Sequence, residues 1–218
     1  MALKIRYNSP VVLTFSLICM GVYFGNWAIW GDPTSNKWSM TTQFFTLFPQ
    51  FNFADPLDYL RLISYTMGHA NQGHIAGNMS IFLLIAPIME EKYGSRNILI
   101  MMVTTALVTA LFQILLFNTA LLGASGLVFM FIVLVSFADV RKGTIPMTFI
   151  LVVLFFLGKE VIHSMQDNQV SEYGHIMGGI MGAIFGYLFN DKKEDPKPIQ
   201  KPKAGNEDLL DDVLNAGM

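Results

Sequence analysis

Two histidines, a serine and an asparagine lie inside apolar, uncharged runs of the sequence. Polar side chains inside an apolar span cost free energy, so each of the four needs a structural or functional explanation. His74 and Asn78 are four residues apart, so both would project from one face of a helix. Ser125 and His175 lie in two other apolar runs. A serine hydroxyl becomes a nucleophile when an imidazole accepts its proton, and the same imidazole can then protonate a leaving amine. These residue types therefore indicate acyl-transfer chemistry.

Each of the four residues has a role in such a reaction. Ser125 would be the nucleophile and His175 the general base. The attacked carbonyl becomes an oxyanion, which would accept hydrogen bonds from the ring of His74, the side-chain amide of Asn78 and the backbone N–H of Ser125. No aspartate lies in the outer half of any predicted span, so the sequence indicates a Ser–His dyad rather than a triad.

The composition places this chemistry in a membrane. Of the 218 residues, 53% are hydrophobic and 14% are charged, whereas roughly a quarter are charged in soluble domains. The mean hydropathy is +0.46. The net charge of −2 gives no basic surface for nucleic acid, so no nucleic-acid partner is expected. A single cysteine, Cys19, excludes a disulfide framework and a cysteine-based zinc site within one chain.

Uncharged runs predict an all-α membrane protein with six transmembrane helices, since about 20 apolar residues cross a bilayer. These runs are residues 11–30, 70–89, 97–138, 145–158 and 173–190. The third run is long enough for two helices, with a break near Asn118 and Thr119. Lys159 and Glu160 interrupt the fifth helix at its C-terminal end, and Glu160 is the only acidic residue inside any predicted span.

The segment 31–73 is the only long loop, and it is rich in Phe, Trp and Tyr. We expect this outer loop to lie partly in the membrane interface and to contain short helices. The alternative is a small extracellular cap packed on itself. His69, near the end of the loop, is expected near the surface, with a structural rather than a catalytic role.

Basic residues predict the orientation. With a cytoplasmic N-terminus, 11 of the 14 Lys and Arg residues lie inside and only Lys37, Arg61 and Lys159 lie outside, as the positive-inside rule requires. The sequence thus divides into a cytoplasmic N-terminus (1–10), a membrane domain (11–190) and a cytoplasmic, largely disordered tail (191–218). A bacterial inner (cell) membrane is the expected location, with the lipid bilayer as a partner.

The same orientation brings the four polar residues to one depth, in the outer third of the membrane. Ser125 lies five residues past Ala120, so about 8 Å down if its helix begins there. His175 belongs to a stripe with Gly178 and Gly182, and Gly126 follows Ser125. Small residues let membrane helices approach closely, as a Ser–His hydrogen bond of about 2.6–3.2 Å needs.

Each signal alone has an ordinary explanation. A serine in a membrane helix often bonds back to its own helix carbonyl, and a glycine stripe often serves packing only. His74 and Asn78 could form an interhelical hydrogen-bonded pair. With His69 and His163, the histidines could in principle form a metal site. No acidic or cysteine ligand accompanies them at depth, so neither a metal nor another cofactor is expected.

The combination of motifs resembles the rhomboid family of intramembrane serine proteases. The residues concerned are Gly123-Ala124-Ser125-Gly126, His74-x-x-x-Asn78, His175-x-x-Gly178-x-x-x-Gly182, Arg61 before Ile63-Ser64, and Glu90 to Ser95. The resemblance covers about residues 61–186. It implies a six-helix bundle with Ser125 as nucleophile, His175 as general base, and an oxyanion site formed by His74, Asn78 and the backbone of Ser125. It also implies a mobile gate formed by the fifth helix and the loop to Glu172, and substrates that are single-span membrane proteins with helix-destabilising residues near the outer face.

Three residues depart from the family pattern: Leu60 where Trp is frequent, Gly174 where Ala is usual, and Phe129 where a Tyr commonly supports the catalytic histidine. Phe129 lies four residues after Ser125, so both project from one face. We expect its ring to pack against His175 and fix the imidazole plane. The alternative is that Phe129 belongs to the ordinary helix core.

The sequence is compatible with three functions. The first is an intramembrane serine endopeptidase, and the retention of both Ser125 and His175 favours it. The second is a catalytically inactive rhomboid-like protein that binds client transmembrane helices. The third is a six-helix transporter or metal permease. It would need ionisable groups at the bilayer centre, whereas Glu160 lies towards one end of its helix, so this function is the least favoured.

Overall fold

The computed structural model describes residues 7–33, 37–137, 147–152, 154–155 and 172–190. In these ranges the regular elements are helices, and one isolated antiparallel β-bridge pairs Leu47 with Leu121. The helices are α1 (Pro10–Trp30), α2 (Met40–Phe44), α3 (Pro56–Ser64), a 3₁₀ turn (Tyr65–Met67), α4 (Gln72–Tyr93), α5 (Ser95–Leu116), α6 (Ser125–Ser136), α7 (Met147–Val152) and α8 (Glu172–Asn190). The predicted all-helical class is confirmed.

Three helices are long and apolar enough to cross a membrane: α1, α4 and α5, with 21, 22 and 22 residues. At 1.5 Å per residue each spans about 30 Å, the thickness of a bilayer core. α6 and α8 are shorter and apolar. Much of the predicted fifth span, with Lys159, Glu160 and His163, and the whole predicted tail 191–218 lie outside the described residues. The count of six spans therefore stays a prediction.

Local sequence signals set the ends of the long helices. Pro10 opens α1, where its missing N–H and fixed φ are tolerated. Asn71 caps α4, since its Oδ1 accepts the backbone N–H of His74 at 2.9 Å. Gly94 ends α4 with φ +81°, which favours glycine, and α5 begins at the next residue. The two helices are consequently joined by a single residue.

α4 continues four residues beyond the predicted span, and this extension buries an acidic side chain. Glu90 is only 3% exposed. Its Oε1 and Oε2 accept the backbone N–H groups of Val11 and Val12 at 3.0 and 2.9 Å. The first N–H groups of a helix lack intrahelical partners. A carboxylate at this end accepts hydrogen bonds from them and interacts favourably with the positive end of the helix dipole. The prediction that Glu160 is the only acidic residue within a span was therefore wrong.

The segment 31–73 contains α2 and α3, as expected of short helices in this loop. It folds around a buried ion pair between Arg61 and Asp58, whose closest atoms are 2.5 Å apart. The guanidinium also donates to the backbone carbonyl of Gln43, and the second oxygen of Asp58 accepts the backbone N–H of Asn52 at 2.7 Å. Whether this loop lies in the membrane interface stays a prediction.

Aromatic rings join the helices that surround the site. Phe82 on α4 packs against Phe15 on α1 and Phe131 on α6, with ring centroids 5.2 and 5.4 Å apart. Phe82 and Phe131 are fully buried. Of the described helices, α6 makes its most extensive contacts with α8. α6 is thus held between α4 and α8, which carry the other predicted site residues.

The cap on α1 gives a stability prediction. Replacing Glu90 with Ala should lower the free energy of unfolding by about 1.5–3 kcal/mol, since hydrogen bonds to a charged group contribute about that much. The measurement is unfolding of the detergent-solubilised protein. The control is Glu91→Ala, because Glu91 is an exposed neighbour on the same helix. Equal losses for the two variants would show that the carboxylate does not stabilise the start of α1.

Candidate active site

An extended segment rather than a helix leads into the site. Leu121 exchanges both backbone hydrogen bonds with Leu47, each 2.9 Å long, and the N–H of Gly123 donates to the carbonyl of Tyr65 at 2.8 Å. These bonds hold the segment out of helical geometry, so α6 begins at Ser125. The expectation of a helix from Ala120, and the depth derived from it, was wrong for this reason.

Gly123 lets two side chains of α4 lie directly over the backbone before Ser125. Its φ of +119° favours glycine. A Cβ on Gly123 would lie 2.6 Å from Cε1 and Nε2 of His74 and 3.6 Å from Nδ2 of Asn78. Any larger residue would therefore displace the imidazole. The predicted oxyanion groups converge beside Ser125.

Glycines bring α6 and α8 into backbone contact. A Cβ on Gly178 would overlap the carbonyl group of Gly126, and one on Gly182 would overlap the carbonyl of Met130. A Cβ on Gly126 would lie 3.1 Å from the carbonyl oxygen of Gly174. Side chains at these positions would push the helices apart. The predicted close approach through Gly126, Gly178 and Gly182 is present in the structure.

The rings of Phe129 and His175 stack face to face. Their centroids are 4.5 Å apart and their planes differ by 5°. Phe129 is four residues after Ser125 on α6, so ring and hydroxyl share one side of the helix. The predicted contact is present, while its effect on catalysis stays a prediction.

One partly open cavity of about 520 Å³ collects the predicted groups. Ser125, His74, Asn78, Phe129 and His175 all line it. Asn78 is 8% exposed, and within the described part of the chain its Nδ2 has no hydrogen-bond partner. A buried donor left unpaired costs about 1–3 kcal/mol. The cavity therefore holds an N–H donor free for a group that enters it.

The hydrogen bonds also assign the protons of His74. The backbone N–H of Ala70 donates to its Nδ1 at 3.4 Å. A ring nitrogen that accepts carries no proton in the neutral imidazole, so the proton is on Nε2. Nε2 is the atom closest to Gly123, together with Cε1. The second donor thus points towards the start of α6.

A comparison with protein families identifies the domain. The model of the rhomboid domain matches residues 56–192, well over half of the chain. The chain belongs to the rhomboid family. The match runs from the start of α3 to beyond α8, so it includes every predicted site residue. No curated protein matches the chain. Rhomboid domains are mostly those of intramembrane serine proteases.

Sequence reasoning misplaced one histidine of this rhomboid domain. His69 was expected near the surface, but it is 0% exposed and its ring packs edge-on against His74, with centroids 5.1 Å apart. Its Nδ1 is 3.2 Å from the carbonyl oxygen of Met67. Burial first, and then the neighbouring His74, lower the pKa of His69 to about 4, so the ring is neutral at pH 7.

Several further lining residues of the cavity were not singled out from the sequence, among them Gly77, Ile81, Val128 and Ile132. Spacing alone carried a signal for the last two, since positions 125, 128, 129 and 132 fall on one stripe of a helix. The sequence pattern alone does not distinguish a stripe that lines a cavity from a stripe that packs against another helix.

The stacked pair gives a prediction for Phe129. Phe129→Tyr should keep activity, because the ring remains and the cavity offers polar partners for the hydroxyl. Phe129→Ala should lower kcat by roughly 10²-fold, as a misplaced catalytic group does. Turnover of a membrane substrate in detergent measures both variants. An unfolding curve for each variant must show that it is folded. A folded Phe129→Leu variant with undiminished kcat would contradict the stacking role.

Proposed function

We propose that this rhomboid protein is an intramembrane serine endopeptidase that cleaves single-span membrane proteins. The observation that carries the proposal is the convergence of Ser125, His74, Asn78 and His175, from three helices, on one cavity. Each residue type has an ordinary explanation by itself. A nucleophile, a base and two oriented donors around one cavity together match the requirements of acyl transfer.

The reaction begins with Ser125. Its Oγ attacks the scissile carbonyl while His175 accepts the hydroxyl proton. The C–N bond then breaks, and His175 returns the proton to the leaving amine. Water attacks the resulting acyl-enzyme, again with His175 as base, which releases the second product and restores Ser125.

The oxyanion is stabilised by three donors in this scheme. Asn78 Nδ2 is buried and unpaired within the described residues, and Nε2 of His74 carries its proton towards Gly123. Ser125 is the first residue of α6, and the first N–H groups of a helix lack intrahelical partners. The positive end of the helix dipole adds to their effect on a developing anion.

Phe129 performs the orienting task that a carboxylate performs in a triad. Its ring covers one face of the imidazole, in nearly parallel planes. Stacking restricts rotation of the imidazole, and Phe129 covers a face of the ring rather than the edge that carries the two nitrogens. A Ser–His dyad is therefore sufficient for the proposed mechanism.

The predicted location of the cavity inside the membrane supports the proposed substrate class. A peptide bond inside a transmembrane helix is shielded by the helix's own hydrogen bonds. Only a segment that unwinds can present a carbonyl to Ser125, which favours substrates with helix-destabilising residues near the membrane face. The basic-residue bias supports cytoplasmic termini and hence cleavage near the outer face of the membrane.

Labelling by a fluorophosphonate probe in detergent tests the nucleophile. Wild type should react and Ser125→Ala should not, since the probe requires a serine activated by a base. Ser136→Ala is the matched control on the same helix, because the Ser136 hydroxyl donates to the carbonyl of Ile132. Labelling of wild type and Ser125→Ala to the same extent, or no labelling of either, would favour the inactive, client-binding alternative.

Kinetics of Asn78→Ala test the oxyanion site. The variant should lower kcat by about 10²-fold, as the loss of one oxyanion donor does. KM should change little, because the donor acts mainly in the transition state. Asn97→Ala is the control, since the Asn97 amide donates to the carbonyl of Tyr93. A raised KM with unchanged kcat would place Asn78 in substrate binding instead.

A further inference from the structure

A second aromatic stack lies where α5 ends and α8 begins. The ring centroids of Phe117 and Tyr173 are 3.9 Å apart, and the ring planes differ by 24°. These two rings are closer together than those of Phe129 and His175. Neither Phe117 nor Tyr173 lines the cavity. The mechanism proposed above gives this stack no task.

The stack joins the two segments of chain that carry the proposed nucleophile and base. Phe117 directly follows α5 and precedes Ser125 by eight residues. Tyr173 is the second residue of α8 and precedes His175 by two residues. The start of α8 is therefore tied to the segment that leads to Ser125, in addition to the glycine contact between α8 and α6.

The Phe117 side of the stack is fixed to α5. The backbone N–H of Phe117 donates to the carbonyl of Gln113 at 3.0 Å. The buried side chain of Gln113 donates from Nε2 to the backbone carbonyl and to Oγ1 of Thr119, each at 2.9 Å. The chain is consequently bonded to α5 both at Phe117 and two residues beyond it. Phe117 thus forms a fixed platform for the ring of Tyr173.

The first turn of α8 needs such support. His175 is the fourth residue of this helix, and the first four N–H groups of a helix lack intrahelical partners. Helix ends fray. Gly174, between Tyr173 and His175, favours fraying because glycine is among the poorest helix formers. Any opening of this turn would move the imidazole of His175.

Two rings hold the turn from opposite sides. Side chains two residues apart in an α-helix point about 200° away from each other. Tyr173 stacks on Phe117, and His175 stacks on Phe129. The two stacks therefore restrict the turn in complementary directions, although only one of them touches the proposed base.

We propose that Tyr173 is a positioning residue for His175, because its stack on Phe117 fixes the first turn of α8 and so holds the imidazole within reach of Ser125. The inference rests on the proposed protease function. The ring carries this role, and the hydroxyl does not. The alternative is that Tyr173, which is 42% exposed, serves only as an anchor in the membrane interface, where tyrosine is frequent. An interfacial anchor would not depend on Phe117.

The first arm of the test measures kcat and KM in detergent with a single-span peptide. Tyr173→Phe should match wild type, because the ring remains. Tyr173→Ala and Tyr173→Leu should each lower kcat by about three- to tenfold, since loss of an aromatic pair shifts an equilibrium by about two- to twelvefold. KM should not change, because the stack lies outside the cavity lining. Tyr187→Ala is the matched control on α8, since Tyr187 is 72% exposed.

The rate of fluorophosphonate labelling gives a readout that needs no peptide. It should fall by the same factor as kcat in Tyr173→Ala and Tyr173→Leu, because the probe reports how well Ser125 is activated by its base. An unfolding curve for each variant shows that it is folded. Tyr173→Leu keeps most of the side-chain volume, so it carries the test if Tyr173→Ala does not fold.

The second arm asks whether the two rings act as one unit. Phe117→Ala should lower kcat as much as Tyr173→Ala, and the double variant should lose no more than either single variant. Phe112→Ala is the control on α5, since Phe112 is 44% exposed. Losses that multiply in the double variant would show independent roles and overturn the inference.

Two further results would also overturn it. An unchanged kcat in folded Tyr173→Ala and Tyr173→Leu, or a change confined to KM or to the unfolding curve, would make Tyr173 an anchor only. Failure of the protease proposal would remove the basis of the inference and would be recognised separately. In that case wild type itself would neither cleave the peptide nor react with the fluorophosphonate probe.

Discussion

Backbone contact between α6 and α8 is the constraint on which the site depends. The contact exists because Gly178 presents no side chain to the carbonyl group of Gly126. Ser125 immediately precedes one of these glycines, and His175 lies one turn before the other. The interface that holds the two helices together therefore also sets the distance between Ser125 and His175, the proposed nucleophile and base. A side chain at Gly178 would separate the helices, and Ser125 and His175 with them.

A second constraint comes from the outer loop. The segment before α6 takes its path from backbone bonds to Leu47 and Tyr65, which belong to the region 31–73. That region is held together by the buried Arg61–Asp58 pair. The position of Ser125 relative to His74 thus depends on an ion pair that lies outside the cavity lining. Removing one partner of a buried pair leaves an uncompensated charge. Loss of Arg61 or Asp58 would therefore destabilise the loop and, through it, the segment that positions Ser125.

Patterns that depend on helix geometry alone were readable from the sequence. The shared face of His74 and Asn78 and the stripe of His175, Gly178 and Gly182 follow from spacings of three or four residues. The packing of Phe129 against His175 was expected from its spacing from Ser125 together with the resemblance to the rhomboid family. Features created by distant partners were not readable. The start of α6 depends on Leu47, the burial of Glu90 depends on the first N–H groups of α1, and the burial of His69 depends on its packing against His74. Gly77 and Gly178 look alike in the sequence, yet one borders open space and the other a carbonyl group.

Some buried polar atoms in and beside the cavity make no hydrogen bond within the described residues, although each such atom lowers the stability of the fold. Within the described residues, Nδ2 of Asn78 and Nε2 of His69 are buried without partners. Each such group costs about 1–3 kcal/mol, and the aromatic contacts of Phe82 with Phe15 and Phe131 offset part of that cost. A donor already oriented and already stripped of water needs no reorganisation when negative charge develops on a carbonyl beside it. In the proposed mechanism, the cost carried by the free protein thereby becomes stabilisation of the transition state, which is the difference in binding that catalysis requires.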